Sequence, residues 1–227
     1  MADSPGSAAV PVYLAVDVSA SMLPLMDLMN DLLIDAWQGI LSDPLLADLV
    51  HLGVVSFSSA ASVDLPLTPA DRIVNLPRLV AGGATHYTAV FQRLVALLHQ
   101  DVAAMKADGL RVYRPAVFFL SDGRPLDDLH AWSAALEELK TRSVAGGPRI
   151  FSVGIGDADP GVVQEVASVS GAALMVRTGA SPSEAIGDYF RLVDEYTRSL
   201  TRSVTRNDGE VVFRWPENLV ELPIIGT

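Results

Sequence analysis

The sequence predicts an α/β fold: a doubly wound, Rossmann-like and mostly parallel central sheet with one antiparallel edge strand and helices on both faces. Two observations predict it. Short apolar runs alternate with segments whose apolar residues recur at three- and four-residue steps, a pattern typical of strands and helices wound into one sheet. The first strand-like run, residues 12–16, shows no apolar–polar alternation, which indicates that both of its faces are buried.

The predicted elements of the first half follow a leader, residues 1–10, that is small, polar and expected to be flexible. The run at 12–16 predicts the first strand, and Pro24 marks the start of the first helix because proline is tolerated in a first helical turn. The run at 50–57 predicts the second strand. A short turn separates it from residues 62–67, so these are expected to pair with it as the antiparallel edge strand.

The second half repeats this alternation. A glycine-rich loop at 81–85 is expected to open a long helix, and residues 116–120 carry the strongest strand signal of the chain. The same patterns predict a helix around 129–139, a strand at 149–155, a short helix at 161–168, a strand at 172–176 and a helix at 182–204. The domain is therefore assigned to residues 11–204. The tail at 205–227 is apolar but interrupted by prolines; packing on the domain is favoured over disorder or docking onto a partner, because exposed apolar side chains promote association.

The composition restricts the class of protein. The 227 residues are half hydrophobic, and 27 acidic side chains exceed 16 basic ones, which gives a formal net charge of −11. Neither nucleic acid nor an anionic membrane attracts such a protein, so neither is an expected partner. The chain has no cysteine, which excludes thiolate metal sites. No signal peptide and no apolar run of transmembrane length is recognised, so a cytoplasmic protein is expected.

Carboxylate and hydroxyl side chains stand where predicted strands end. Asp17, Ser19 and Ser21 alternate along the turn after the first strand, so their oxygen atoms can converge on one point. Asp122 follows the central strand, and Thr85 lies in the glycine-rich loop. Ligands of open α/β sheets bind at the carboxyl ends of strands, and oxygen ligands suit hard cations such as Mg²⁺.

We expect this cluster to hold a divalent cation, Mg²⁺ or alternatively Mn²⁺ or Ca²⁺. Mg²⁺ takes about six oxygen ligands and usually keeps some water. Because only two of the five protein ligands are charged, the cation remains electrophilic and has reason to accept a further carboxylate. The sequence therefore predicts a docking point for an Asp or Glu of a partner protein.

Three motifs carry a resemblance to a known family. They are Asp17-x-Ser19-x-Ser21, Thr85 in a Gly-Gly loop, and Ser121-Asp122-Gly123. In this order they resemble the metal-ion-dependent adhesion site (MIDAS) of von Willebrand factor A (VWA) domains, and the strand placement agrees along residues 11–203. The resemblance implies the VWA fold, no catalytic residues, and a metal site formed by Asp17, Ser19, Ser21, Thr85 and Asp122.

The surrounding residues resemble a narrower branch, the tellurite-resistance-associated, TerY-like bacterial proteins. The similar segments are Pro-Val-Tyr-Leu at 11–14 and the string Asp122-Gly123-x-Pro125-x-Asp127-Asp128. The resemblance implies an intracellular interaction module in a signalling or stress-response assembly, often associated with a protein kinase and a phosphatase. The family usually has Gly-Gly-Thr, whereas here Ala84 separates the two glycines from Thr85. Because this additional residue shifts the position of Thr85, Thr88 is an alternative ligand.

Other interpretations fit parts of the pattern. A haloacid-dehalogenase-like phosphohydrolase also places Asp after the first strand, but it needs a second acid where this chain has Ser19, whose hydroxyl is too weak an acid. No enzymatic activity is therefore expected, and a structural subunit with a vestigial metal site is the other alternative. Asp and Ser also cap helices without any metal. His86 and Arg124 are expected on the rim of the site, and Asp157 with Asp159 forms a solvated loop or a second cation site.

Overall fold

The computed structural model describes residues 8–168, 171–206 and 214–223. The strands are β1 (Ala8–Asp17), β2 (Val50–Phe57), β3 (Ala61–Pro69), β4 (Arg111–Val112), β5 (Ala116–Ser121), β6 (Arg149–Gly154), β7 (Ala172–Val176) and β8 (Leu219–Leu222). The α-helices are α1 (Met26–Leu41), α2 (Pro44–Leu49), α3 (Tyr87–Ala107), α4 (Leu129–Thr141), α5 (Pro160–Val166) and α6 (Pro182–Arg206). Short 3₁₀ segments are Ala20–Leu25 and Ala70–Arg72. None of the helices in these ranges has the length and apolar character needed to cross a membrane.

The strands form the predicted doubly wound, mostly parallel sheet. Their order is β3-β2-β1-β5-β6-β7-β8, and β4 pairs with the start of β1. Neighbouring strands are parallel in the series β2, β1, β5, β6 and β7, and β3 is the antiparallel edge strand. The strand order reverses between β1 and β5, and such a switch point is where ligands bind in open α/β sheets. Asp17 ends β1 and Ser121 ends β5, so both lie at this point.

A second antiparallel strand, β8, comes from the C-terminal tail. Leu219 pairs with Val176 and Leu222 with Ala173, and the Leu219 side chain is buried. Residues 214–223 of the tail thus pack on the domain, with prolines flanking the strand instead of interrupting it. Residues 1–7 of the predicted leader, and 207–213 and 224–227 of the predicted tail, lie outside the described residues.

Three local features differ from the sequence predictions. β1 begins at Ala8 because its first two residues pair with β4, a strand too short to show a pattern. α2 was not predicted because its six residues are too few to show a helical repeat of apolar positions. Its N-terminus is capped by Asp43, which accepts a hydrogen bond from Leu45 N at 3.0 Å. Pro24 lies within the 3₁₀ segment, so the regular helix begins at Met26.

Helices cover both faces of the sheet, as the uninterrupted apolar runs predicted. Successive side chains of a strand point to opposite faces. Leu14 and Phe118 accordingly pack in the core layer that includes α1 and α6, whereas Ala15 and Phe119 pack in the layer that includes α3 and α4. All four side chains are buried. The two layers hold β1 and β5 side by side, and this fixes the strand ends that carry the candidate site.

Candidate metal centre

Asp17 is the buried anchor of the site. Its side chain is 0% exposed. Oδ1 accepts a hydrogen bond from the backbone N–H of Ser19 at 2.8 Å, and Oδ2 accepts one from Ser121 Oγ at 2.6 Å. The carboxylate is therefore oriented by one donor from its own turn and one from the end of β5. Ser121, expected from the sequence only as part of a motif, is the residue that positions Asp17.

The two serines of the first motif face the second carboxylate. Ser19 Oγ lies 3.1 Å from Ser21 Oγ, and Ser21 Oγ donates to Asp122 Oδ1 at 2.9 Å. Ser19 precedes the 3₁₀ segment but makes no capping hydrogen bond with its side chain. The hydroxyls are thus directed at one another and at Asp122, which is the arrangement of a ligand cluster and not of a helix cap.

The glycine-rich loop is clamped to the first motif by backbone hydrogen bonds. Gly82 N donates to Val18 O at 2.7 Å, and Ala20 N donates to Gly83 O at 3.1 Å. Gly83 has φ +84°, a conformation that side chains rarely adopt, and a Cβ there would stand 2.8 Å from Ser59 Oγ. The loop therefore follows the motif turn closely, and it brings Thr85 to the same edge of the sheet.

Thr85, and not Thr88, lies against the turn that carries Asp122. Thr85 is buried, and a Cβ added to Gly123 would stand 3.3 Å from its Oγ1 atom, so the hydroxyl lies against the turn that carries Asp122. The Oγ1 atom of Thr88 instead donates to Asp127 Oδ2 at 2.5 Å. The additional residue of the loop, Ala84, is held by a hydrogen bond from its N–H to Ser59 Oγ at 2.9 Å, directly before Thr85.

Asp127 is a supporting residue that sequence reasoning missed. Its carboxylate accepts hydrogen bonds from Tyr87 N at 3.1 Å and from Thr88 N at 2.7 Å, so it caps α3. Burial alone would raise the pKa of Asp127, but the hydrogen bonds from Thr88 and Tyr87 hold it below its ordinary value. Capping residues are normally sought directly before a helix, and this one follows 40 residues later. The available signal was its place in the string after β5.

The electrostatics of the cluster favour a cation. Burial raises the pKa of Asp17, although hydrogen bonds from Ser121 and Ser19 oppose the shift. Burial also raises the pKa of Asp122, and the negative charges of Asp17 and Asp157 add to that effect. Two desolvated carboxylates that are close enough for one to raise the pKa of the other are costly to ionise together, and a nearby positive charge reverses this cost.

The donor set fits a hard divalent cation. It offers two carboxylates and three hydroxyls, and oxygen-only sets of this kind suit Mg²⁺ or a similar ion. In the part of the chain that the structure describes, no three His, Asp or Glu side chains form a metal-binding cluster. A metal centre at this edge therefore depends on the hydroxyls of Ser19, Ser21 and Thr85.

Arg124, one of the two residues expected on the rim, has a partner of its own. Arg124 Nη2 lies 3.4 Å from Asp159 Oδ2, and the arginine side chain is 69% exposed. Asp159 also caps α5, since its Oδ1 atom accepts a hydrogen bond from Gly161 N at 2.8 Å. The Asp159 carboxylate thus pairs with Arg124 and caps α5. These contacts favour the interpretation of Asp157 and Asp159 as a solvated loop over that of a second cation site. His86 is half-buried and directly precedes α3.

The two threonines give a test of the ligand assignment. Replacing Thr85 by valine, which keeps the shape and removes the hydroxyl, should weaken binding of a divalent cation by about tenfold, a loss of roughly 1.4 kcal/mol. Thr88→Val is the matched control: it should leave cation binding nearly unchanged and lower the free energy of unfolding by about 1 kcal/mol through the lost contact with Asp127. Calorimetric titration with Mg²⁺ or Mn²⁺ measures the first effect. A larger loss of binding in Thr88→Val would reverse the assignment.

No protein-family model matches the chain, and no curated protein matches it. Solved structures do match. Proximal thread matrix protein 1 (PTMP1) from the mussel byssus, crystal form 2, has a TM-score of 0.59 at 18% identity over 83% of this chain and 48% of that chain. PTMP1 with a zinc-occupied MIDAS motif has a TM-score of 0.57 at 17% identity, with 83% and 48% covered. The ArnB paralog VWA2 from Sulfolobus acidocaldarius has a TM-score of 0.54 at 14% identity, with 81% and 44% covered.

These similarities show the fold. Sheet order, helix layers and the solved structures agree that residues of this chain adopt the Rossmann-like VWA fold. The chain spans less than half of the length of each of these three chains. Fold similarity at this level of identity leaves the function to be argued from the site itself.

Proposed function

We propose that this chain is a metal-dependent protein-binding module, which holds a divalent cation at its MIDAS-like centre and binds an acidic residue of a partner protein there. The observation that carries the proposal is the convergence of distant residues: Ser21 Oγ bonds Asp122 across 101 positions of the chain, beside a buried Asp17. When bound, the cation supplies an electrophilic position for a carboxylate oxygen. Its holders are Asp17, Ser19, Ser21, Thr85 and Asp122.

The proposed metal centre has one buried side and one side that is accessible to a partner protein. Asp17 is fully buried and locked by Ser121 and the Ser19 N–H, so it gives the site a fixed carboxylate. Ser21 is exposed and Asp122 is half-buried, so the partner approaches from their side. Because the other three holders are neutral hydroxyls, which donate weakly, the bound cation remains electrophilic and can accept one more carboxylate.

The same geometry favours binding over catalysis. A phosphohydrolase of the type considered above requires an acid two residues after its first aspartate, and Ser19 stands there with its Oγ directed at Ser21. A serine hydroxyl is a poor general acid or base at neutral pH. We therefore propose a module without enzymatic activity. Incubation with a generic phosphate ester and Mg²⁺ should give no hydrolysis above that of the buffer, and hydrolysis that disappears in Asp17→Asn would overturn this part.

A finer proposal concerns the setting of the module. The TerY-like segments at 11–14 and 122–128 support a bacterial cytoplasmic role in a signalling or stress-response assembly, with a protein kinase or phosphatase as a candidate partner. The net charge of −11 supports a protein partner over nucleic acid or an anionic membrane. The PTMP1 structure with a zinc-occupied MIDAS motif supports a divalent cation at such a motif, with Mg²⁺ proposed for this chain.

Affinity capture tests the proposal directly. The tagged chain is used to capture proteins from its native cell in Mg²⁺ buffer, in EDTA, and in EDTA followed by excess Mg²⁺. We expect a partner that is retained in the first and third samples and lost in the second. Partners that bind equally well in EDTA would exclude the metal-dependent mechanism, and their identity would decide between a kinase or phosphatase and another class of protein.

A further inference from the structure

Three arginines mark the amino edge of the sheet, at the opposite ends of the strands from the metal centre. Arg111 lies in β4, Arg114 stands two residues before β5, and Arg149 begins β6. The Arg149 N–H donates to Pro115 O at 2.8 Å. Arg114 and Arg149 therefore stand at the starts of neighbouring parallel strands.

None of these three arginines forms an ion pair with a described residue. The five ion pairs of the described ranges use other arginines, namely Arg78, Arg124, Arg191 and Arg198. Carboxylates are abundant, since acidic side chains outnumber basic ones 27 to 16. Within the described ranges, the absence of an ion pair at these guanidinium groups is thus a property of their position and not of the composition.

Arg149 is oriented by an aromatic ring. Its guanidinium carbon lies 5.7 Å from the centroid of the buried Tyr196 ring. Its Nε atom is buried and has no hydrogen-bond partner among the described residues, a state that is unfavourable for a donor. The contact with the ring holds the guanidinium group in place, and no carboxylate of the described residues forms an ion pair with it.

Arg114 reaches the same region from the start of β5. A Cβ added to Gly146 would stand 2.8 Å from Arg114 Nη2, so the missing side chain of this glycine makes room for the guanidinium group. Burial raises the pKa of the Tyr196 hydroxyl, while the charges of Arg149 and Arg114 act in the opposite direction. Both guanidinium groups therefore act on one phenol.

We propose that Arg114 and Arg149 form an oxyanion-binding site for a phosphate group, carried either by free phosphate or by a phosphate ester. Guanidinium forks match the paired oxygens of phosphate. Two positive charges complement a phosphate monoester, whose charge is about −1.5 to −2 at pH 7. The Tyr196 ring positions the guanidinium group of Arg149, and the absence of a side chain at Gly146 leaves space for that of Arg114. The site is independent of the proposed metal centre, because the two lie at opposite edges of the sheet.

The test is a titration of the ¹⁵N-labelled chain in EDTA, at constant ionic strength, with inorganic phosphate, with phosphoserine or with chloride. We expect saturable shifts of the amide signals of Gly146, Gly147 and Arg149 with the phosphates and none with chloride. Arg114→Ala and Arg149→Ala should each weaken binding at least about tenfold. Tighter binding of phosphoserine identifies an ester as the ligand, and tighter binding of inorganic phosphate identifies the free ion.

Arg93→Ala is the matched control, because it removes the same charge from an exposed position on α3. It should bind phosphate as the wild type does. Equal weakening in Arg93→Ala, or shifts that chloride reproduces, would overturn the site, since net charge would then explain the effect. Arg114 is exposed, so its substitution is expected to leave the fold intact. If Arg149→Ala is unstable, the phosphate affinity of Arg114→Ala alone tests the site.

Discussion

Asp17→Asn should reduce partner binding in Mg²⁺ buffer to the level that the wild type shows in EDTA. The substitution removes the charge of the one fully buried carboxylate of the centre and keeps the shape of the side chain. Loss of one member of a buried charge pair costs about 2–5 kcal/mol, which is roughly a 30-fold or greater loss of affinity. Binding to the captured partner is measured with and without chelator.

Asparagine is a better probe than alanine at this position. Asp17 accepts hydrogen bonds from the Ser19 N–H and from Ser121 Oγ. Alanine would leave both donors without an acceptor in a buried place, at about 1–3 kcal/mol each, so a loss of binding could reflect a disturbed turn. Asparagine retains one carbonyl oxygen as an acceptor, and the remaining effect then reports mainly the missing charge.

A control and an opposite outcome complete this experiment. Asp35→Asn makes the same change of charge at an exposed position on α1 and should bind the partner normally. If Asp17→Asn bound the partner with full affinity and remained sensitive to EDTA, a metal ion elsewhere in the complex would have to be responsible.

The residues at the ends of β1 and β5 could be predicted from the sequence because the patterns that indicate them are local. Asp17 and Asp122 each follow an uninterrupted apolar run, and parallel strands bring their carboxyl ends to one edge. The alternation of hydroxyls after Asp17 needed only a turn to bring them together. The Ser21–Asp122 hydrogen bond is what these local signals imply once β1 and β5 are neighbours.

The details that sequence could not supply depend on contacts between distant segments. The preference for Thr85 over Thr88 as a candidate ligand rests on Asp127. This residue lies in a loop 39 positions after Thr88 and accepts a hydrogen bond from the Thr88 hydroxyl. The additional residue, Ala84, is accommodated by Ser59, 25 residues earlier. The strand β8 has four residues and gains its pairing from β7, so no periodic pattern announces it. Each of these outcomes is a tertiary effect with a weak local signal.

The second large effect expected is a link between metal, pH and stability. In EDTA, the free energy of unfolding should fall as pH rises from the ordinary aspartate pKa of 3.8 through the raised native pKa values of Asp17 and Asp122. Within this window the native state binds more protons than the unfolded state, so stability decreases with pH. Asp127 acts in the opposite sense and at lower pH, because its native pKa is lowered and its contribution is lost on acidification.

Mg²⁺ should remove this pH dependence and raise stability. A cation bound to the ionised carboxylates stabilises the folded chain by about 2.7 kcal/mol when its concentration is 100 times the dissociation constant. Urea unfolding at a series of pH values, with EDTA or with Mg²⁺, measures both effects. Asp101 also has a pKa raised by burial, so Asp17→Asn identifies the local share: the variant should lose part of the fall with pH and most of the stabilisation by Mg²⁺. A variant that keeps both in full would show that Asp17 neither carries the shifted pKa nor binds the metal.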